Sequence, residues 1–131
     1  MLNIAVEYAS VHSNDPRTKV GAVIVVDGTI VSMGSNVMPM DIVWTEEMMK
    51  DRAWKNSLII HAEVNAIAGK DVAGGTAYVT HHPCKGCAQK LVDAGIVTVV
   101  IPDVPPTEGW EQSQLEAAQV MTSQGITIVR I

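Results

Sequence analysis

Two short stretches hold residue types that can do chemistry together. His61-Ala62-Glu63 places an imidazole two positions before a carboxylate, and Pro83-Cys84-Lys85-Gly86-Cys87 places two thiols on one turn. One imidazole and two thiolates bind zinc and leave the fourth corner of its tetrahedron open to water. Zinc brings the pKa of such a water near neutrality, from roughly 16 in bulk. A carboxylate alongside can take the proton and pass it on. The pattern therefore outlines a hydrolytic centre, with His61, Cys84 and Cys87 as metal ligands and Glu63 as proton shuttle. The same residues admit other uses. A C-x-x-C can be a redox pair, which leaves H-x-E unexplained, or half of a closed structural zinc site. A closed site needs a fourth protein ligand, and His12, His81 and His82 are available in the chain. The strand, His-His-Pro-Cys, helix layout reads as a pocket wall, and His12 as a surface or helix-end residue.

These motifs need elements to position them. Leu2, Ala5, Val6 and Ala9 recur at helical spacing and predict an opening amphipathic helix, broken by Asn14-Asp15-Pro16. The β-branched run Val20 to Val26 predicts a buried strand. Asp27-Gly28 then turns the chain into an antiparallel partner, Thr29 to Ser35. Between Val37 and Ile60, Pro39 and the methionines suggest a loop, followed by a helix over Glu46 to Lys55 with Met48, Met49 and Trp54 partly buried. His61 to Ala68 reads as a helix ended by Gly69. After Gly74-Gly75 come a strand, Thr76 to Thr80, and a helix opened by Pro83 and ended by Gly95. A strand over Val97 to Ile101 and a proline-rich loop, Pro102 to Gly109, follow. The last elements are a helix over Glu111 to Gln124 and a strand over Ile126 to Ile131. Helices between the last three strands imply parallel crossovers. The expected architecture is α/β: three layers, α-β-α, around a mixed five-stranded sheet, with residues 1–131 as one domain. His61 and the cysteines then stand near helix N-termini, where partial positive charge favours thiolates.

Composition narrows the setting. A hydrophobic fraction of 47% without a long apolar run predicts a soluble globular protein. Met1-Leu2-Asn3-Ile4 has neither the basic nor the apolar region of a secretory signal. Two cysteines in one C-x-x-C suit a reducing, cytoplasmic compartment. A net charge of −5 argues against a sequence-independent grip on nucleic acid. No membrane association is expected.

With the motifs in place, the chain resembles the cytidine/deoxycytidylate deaminase superfamily, and within it the deoxycytidylate (dCMP) deaminases. The resemblance is carried by His61 to Ile67 (H-A-E-V-N-A-I), Tyr78 to Cys87 (Y-V-T-H-H-P-C-K-G-C) and Ala94-Gly95-Ile96. Asp15 to Ala22 looks like the family's entry to its first strand, and Gly34 to Pro39 like its G-Y-N-G-x-P segment. The metal motif points to the superfamily. The long Val37–Ile60 insertion, the Asn-Ala-Ile after H-A-E and the N-x-x-P after the second strand point to dCMP; the tRNA adenosine deaminases usually have a shorter segment there.

The resemblance implies zinc-dependent hydrolysis of dCMP to dUMP and ammonia, a step in pyrimidine deoxynucleotide metabolism that supplies dUMP for dTMP synthesis. It implies that Asn36 contacts the nucleotide, that Ala62 offers backbone contacts to the exocyclic amine, and that Arg17, with Lys19 as second candidate, reaches the phosphate. Asn65 is expected to brace its helix. Small deaminases of this type assemble as homo-oligomers, here a dimer, trimer or hexamer, with apolar surface in the Val37–Trp54 stretch. In many relatives the segment around the asparagine binds the effectors dCTP and dTTP; its tyrosine and second glycine are Ser35 and Val37 here. Relatives often close the pocket with a tyrosine after the fourth strand; the corresponding loop here is Pro102 to Pro106 with Trp110 beyond, which reads either as a substitute for that tyrosine or as a packed helix-end aromatic. The competing readings are a zinc deaminase for cytidine, a modified deoxycytidylate or tRNA adenosine, and a zinc-stabilised module without catalysis.

Overall fold

The computed structural model describes residues 1–39, 43–106 and 108–131, with Asn56 described by its backbone alone. The parts of the expected loops at positions 40–42 and 107 lie outside the described residues. In chain order the elements are α1 (Leu2–His12), β1 (Gly21–Val26), β2 (Thr29–Ser35), α2 (Glu46–Met49), α3 (Arg52–Leu58), α4 (Ala62–Ile67), β3 (Thr76–Val79), α5 (Lys85–Asp93), β4 (Thr98–Ile101), α6 (Glu111–Ser123) and β5 (Thr127–Arg130). The sheet has five strands in the order β2-β1-β3-β4-β5. β1 pairs antiparallel with β2 and β3, while β3, β4 and β5 run parallel.

The β1–β2 hairpin turns on Asp27 and Gly28, at φ 51° and 78°. Two left-handed residues in succession match the twist of the flanking strands, which is why an Asp-Gly pair stands there. The register pairs Ala22 with Gly34 and Val79, and Ala77 with Val99. These residues share one face of the sheet, because directly opposed residues point the same way. That face carries α4, α5 and α6 over a core that includes Ile24, Ala66, Leu91, Ile101 and Met121. α1 packs on β1, β2 and β3 from the other side, so the layers are α-β-α as expected.

Two glycines let helices lie directly on strands. A Cβ at Gly21 would overlap the Ala5 carbonyl oxygen of α1, and a Cβ at Gly34 would overlap the Ala62 carbonyl oxygen and crowd Ala66 of α4. Such close approach is filled by small residues: α1 buries Ala5 and Ala9, while Val6, expected inside from its spacing, is 56% exposed.

Two expected helices differ, one by division and one at its start. Glu46 to Lys55 is two short helices, because Asp51 takes an extended backbone and its side chain accepts the Trp54 N–H at 3.1 Å. An aspartate competes well as a helix cap and poorly as a helix interior residue. Met49 is buried there, Trp54 is half-buried and Met48 is 37% exposed. Pro83 lies outside the following helix. Cys84 caps α5, its Sγ accepting the Cys87 N–H at 3.4 Å.

Gly34 is the point where α4 rests on the sheet, and α4 begins immediately after His61. Gly34→Ala is therefore expected to lower stability by about 1–3 kcal/mol, the usual cost of overpacking a tight contact. It should also reduce the zinc held per chain. Urea unfolding and metal analysis of the purified variant read the two effects.

Candidate active site

The site lies along one edge of the sheet. Val20 enters β1, Asn36 leaves β2, Thr80 leaves β3, Pro102 leaves β4 and Arg130 ends β5; all five line one pocket of about 740 Å³. In open α/β sheets the carboxyl ends of parallel strands are where the connecting loops diverge and leave a crevice. His61, Ala62 and Glu63 enter that crevice at the start of α4, and Cys84 enters it at the start of α5.

His61 Nδ1 lies 3.6 Å from Cys84 Sγ and 3.2 Å from Cys87 Sγ. A tetrahedral zinc with Zn–N about 2.0 Å and Zn–S about 2.3 Å sets its N and S ligands roughly 3.5 Å apart. The two distances fit that ion, and all three donor atoms lie within 4.8 Å of one another. Among the described residues no further His, Cys, Asp or Glu joins the group. His81 Nδ1 contacts Thr80 Oγ1 at 3.0 Å, and His82 Nδ1 donates to the Pro83 carbonyl at 2.8 Å. Burial lowers the pKa of both imidazoles, and Arg130 adds to the effect at His82. Both line the pocket without joining the donor group, which among the described residues is His61, Cys84 and Cys87.

The donors also interact without the ion. Hydrogen bonding from Cys87 is the largest influence on Cys84; it outweighs burial and, with His61, brings the thiol from 9.0 down to about 3. Cys87 is pushed up by its hydrogen bond to Cys84, by burial and by Glu63. The Cys84 hydrogen bond outweighs burial at His61 and raises it above 6.5. Glu63 is 4% exposed, and burial raises its carboxyl above 4.5. A buried carboxyl that holds its proton more tightly is suited to give and take one near neutral pH.

Asn36 faces the pocket with its amide committed inward. Its Oδ1 accepts from Ser13 Oγ at 2.7 Å and from the Val20 N–H at 2.8 Å. Its Nδ2 donates to the Thr18 carbonyl at 2.8 Å and more weakly to Asp15 Oδ2 at 3.4 Å. Those contacts fill the capacity of an amide side chain, so the amide holds the 13–20 loop against β2. Ala62 is fully buried at the pocket wall. Asn65 braces α4, donating to the Ser35 carbonyl at 2.7 Å.

Arg17 and Lys19 do not line the pocket. Arg17 is exposed, its N–H donating to Asp15 Oδ1 at 2.9 Å, and Lys19 Nζ donates to the Ser13 carbonyl at 2.7 Å. The loop turns inward to bury Asp15, which carries these neighbours outward. The pocket's cations are Arg52, Lys55 and Arg130, none singled out in the sequence. Arg52 and Lys55 are three apart, a spacing that marks one helix face once α3 is recognised. Lys55 Nζ lies 2.5 Å from Asp15 Oδ2, with Asp15 fully buried and Lys55 13% exposed. Burial opposes the Asp15 carboxylate, but Lys55 and the Arg17 and Thr18 N–H groups outweigh it and hold its pKa below 3.8. Trp110 lines the pocket beside Val104 and Pro105 and is 40% exposed.

The family model described as "Cytidine and deoxycytidylate deaminase zinc-binding region" matches residues 1–102. The chain is similar to an "Uncharacterized deaminase in luxG 3'region" of Aliivibrio fischeri, 41% identical over 93 residues, covering 70% of this chain and 63% of that protein. It is similar to a deoxycytidylate deaminase of Homo sapiens, 38% identical over 97 residues, covering 67% of this chain and 54% of that protein. The chain thus spans little more than half of the human relative and under two thirds of the bacterial one. Among solved structures, the dCMP deaminase of cyanophage S-TIM5 in complex with dCMP and dUMP shares the fold at TM-score 0.78 and 23% identity, over 99% of this chain and 93% of that one.

Metal uptake by this donor set must displace protons from the imidazole and the Cys87 thiol. Zinc affinity is expected to rise with pH, and titration calorimetry in buffers of different ionisation enthalpy should show proton release on binding. Asp15→Asn leaves the Lys55 ammonium buried without a counter-charge, a loss of about 3–5 kcal/mol at pH 7. Because the folded pKa of Asp15 is depressed, its contribution is present above 3.8 and disappears as pH falls through the folded value. Unfolding curves of wild type and variant should therefore converge in strong acid.

Proposed function

Because the chain belongs to the cytidine and deoxycytidylate deaminase zinc-binding family, we propose that it hydrolyses dCMP to dUMP and ammonia. The observation that carries this reading is the buried Glu63 two positions after His61, in a pocket lined by His61 and Cys84, two of the three residues whose donor atoms converge. His61, Cys84 and Cys87 would hold zinc, and would leave the fourth corner of its tetrahedron to water. Bound there, zinc supplies a water that loses its proton near neutral pH.

The chain's own groups do the rest. Glu63 accepts the proton from water as oxygen adds to C4 of the cytosine ring, and delivers it to the ring nitrogen N3. It then takes the remaining proton from the hydroxyl added at C4 and gives it to the amino group, so the C4–N bond breaks, the C4 carbonyl forms and ammonia leaves. Burial suits Glu63 to both directions of transfer, because it brings the acid and its conjugate base closer in energy at neutral pH. Ala62 presents backbone to the exocyclic amine, and Asn36 sets the wall against which the nucleotide lies. The half-exposed Trp110 closes the mouth.

The same proposal takes the protein to be a cytoplasmic homo-oligomer acting on a deoxynucleotide, with dCTP and dTTP as candidate effectors. No helix among the described residues is long and apolar enough to cross a membrane. Val43 and Met48 leave apolar surface in the segment between β2 and α4, and Val6, Val11, Val31 and Met33 leave more on α1 and β2. That surface supports self-association, which light scattering would read directly.

Zinc-loaded protein is expected to release ammonia from dCMP faster than from cytidine, dCTP, a 5-substituted deoxycytidylate or a tRNA substrate. Glu63→Ala should keep its zinc and lose turnover by about 10²- to 10⁴-fold. Full activity in that variant removes the mechanism, and preference for another substrate removes the assignment to dCMP.

A further inference from the structure

The pocket holds more positive charge than the metal chemistry uses. Its cationic side chains are Arg52 and Lys55 on α3 and Arg130 at the end of β5. Lys55 is neutralised by Asp15. Arg52 stands three positions before Lys55, on the same helix face, so the ion pair that seats α3 also aims Arg52 at the pocket. Neither the Arg52 nor the Arg130 side chain has an ion-pair or hydrogen-bond partner among the described residues. The carboxylates on the same walls are Asp15, already paired, and Glu63, at the metal donors. Two guanidiniums are thus left uncompensated over one cavity, in a chain whose net charge is −5. Unpaired cations in a cavity of an acidic protein mark the place of an anionic ligand group.

We infer that Arg52 and Arg130, rather than Arg17 or Lys19, form the end of the pocket that binds a phosphate monoester of the substrate. A guanidinium presents a planar pair of donors that matches two phosphate oxygens. Two such groups, one from α3 and one from β5, balance a dianion. Arg130 follows from the fold, since the end of a parallel strand faces the crevice. Arg52 follows from the insertion before α4, which brings a cation to a pocket that the sheet edge alone would leave with Arg130. The inference rests on the deaminase reading for the rest of the substrate, and on the pocket alone for its anion.

Steady-state kinetics of zinc-loaded R52Q, R130Q and R17Q with dCMP and with deoxycytidine tests this. R52Q and R130Q should each raise the KM for dCMP about 10- to 100-fold, the value of a charge-assisted hydrogen bond. Their kcat/KM for deoxycytidine should stay within about threefold of wild type, since that substrate has no phosphate to lose. R52K, which keeps the charge and loses the fork, should fall between. A dCMP defect confined to R17Q, or equal defects on both substrates in R52Q and R130Q, overturns the assignment. Inorganic phosphate at constant ionic strength reads the anion end without turnover. It should raise the unfolding temperature of zinc-loaded wild type and do so much less in R52Q/R130Q; equal protection in both overturns the inference. If that protection is lost as expected while wild type deaminates no cytosine nucleotide, the substrate reading falls and the anion site stands.

Discussion

A metal ion can hold an imidazole and two thiols only if their donor atoms come within a few ångströms of each other, and here they come from helices separated by a strand. Several packing details near the site serve that convergence. β3 lies between β1 and β4, so the chain returns from α4 through β3 to α5 and places two helix starts side by side at one edge. Gly34 removes the side chain that would lift α4 from β2. Ala62, Ala66 and Ala88 keep the layer beneath the site thin. Larger residues at those points would leave His61 and the cysteines on the same helices but out of reach of one ion.

A second constraint holds the far wall. The connection from α1 to β1 carries no regular structure, and it is fixed by side chains: Ser13 and Asn36 tie it to the end of β2, and Asn14 exchanges hydrogen bonds with the Met38 backbone at 2.9 and 2.7 Å. Asp15, buried beneath it, then fixes α3 through Lys55. Polar groups thus organise the wall that meets the nucleotide in the proposed reaction, while apolar packing organises the wall that holds the metal. The two walls should respond differently to conditions, since buried charge is sensitive to acid and close packing is not.

The sequence was most legible where a local rule acts alone. Asp27-Gly28 can hardly be anything but a hairpin turn, and the β2 boundaries, the parallel order of the last strands and the H-x-E…P-C-x-x-C donors follow from spacing and residue type. It was least legible where tertiary context decides. Asp51 divides an apparently continuous helix because its side chain prefers a cap, which periodicity does not weigh. Val6 points outward because Gly21 lets α1 settle on its alanines. Arg17 is a phosphate candidate through its family position and its guanidinium fork, but it is exposed and does not line the pocket, whereas the buried Asp15 two positions before it does. Arg52 and Arg130 stand in no motif; they reach the pocket through a helix seated by one ion pair and through the end of the last strand.

One sulfur joins the chemistry to the fold. Cys84 Sγ is 3.6 Å from His61 Nδ1 and also accepts the Cys87 N–H that opens α5. A residue that starts the helix well, such as serine, gives up the thiolate; one that keeps a metal donor, such as histidine, gives up the short-range cap. The position therefore answers to two demands at once, and aspartate, which can also cap a helix and bind zinc, would exchange a soft sulfur donor for a hard oxygen. An engineer who wishes to retune the metal here must redesign the beginning of a helix at the same time.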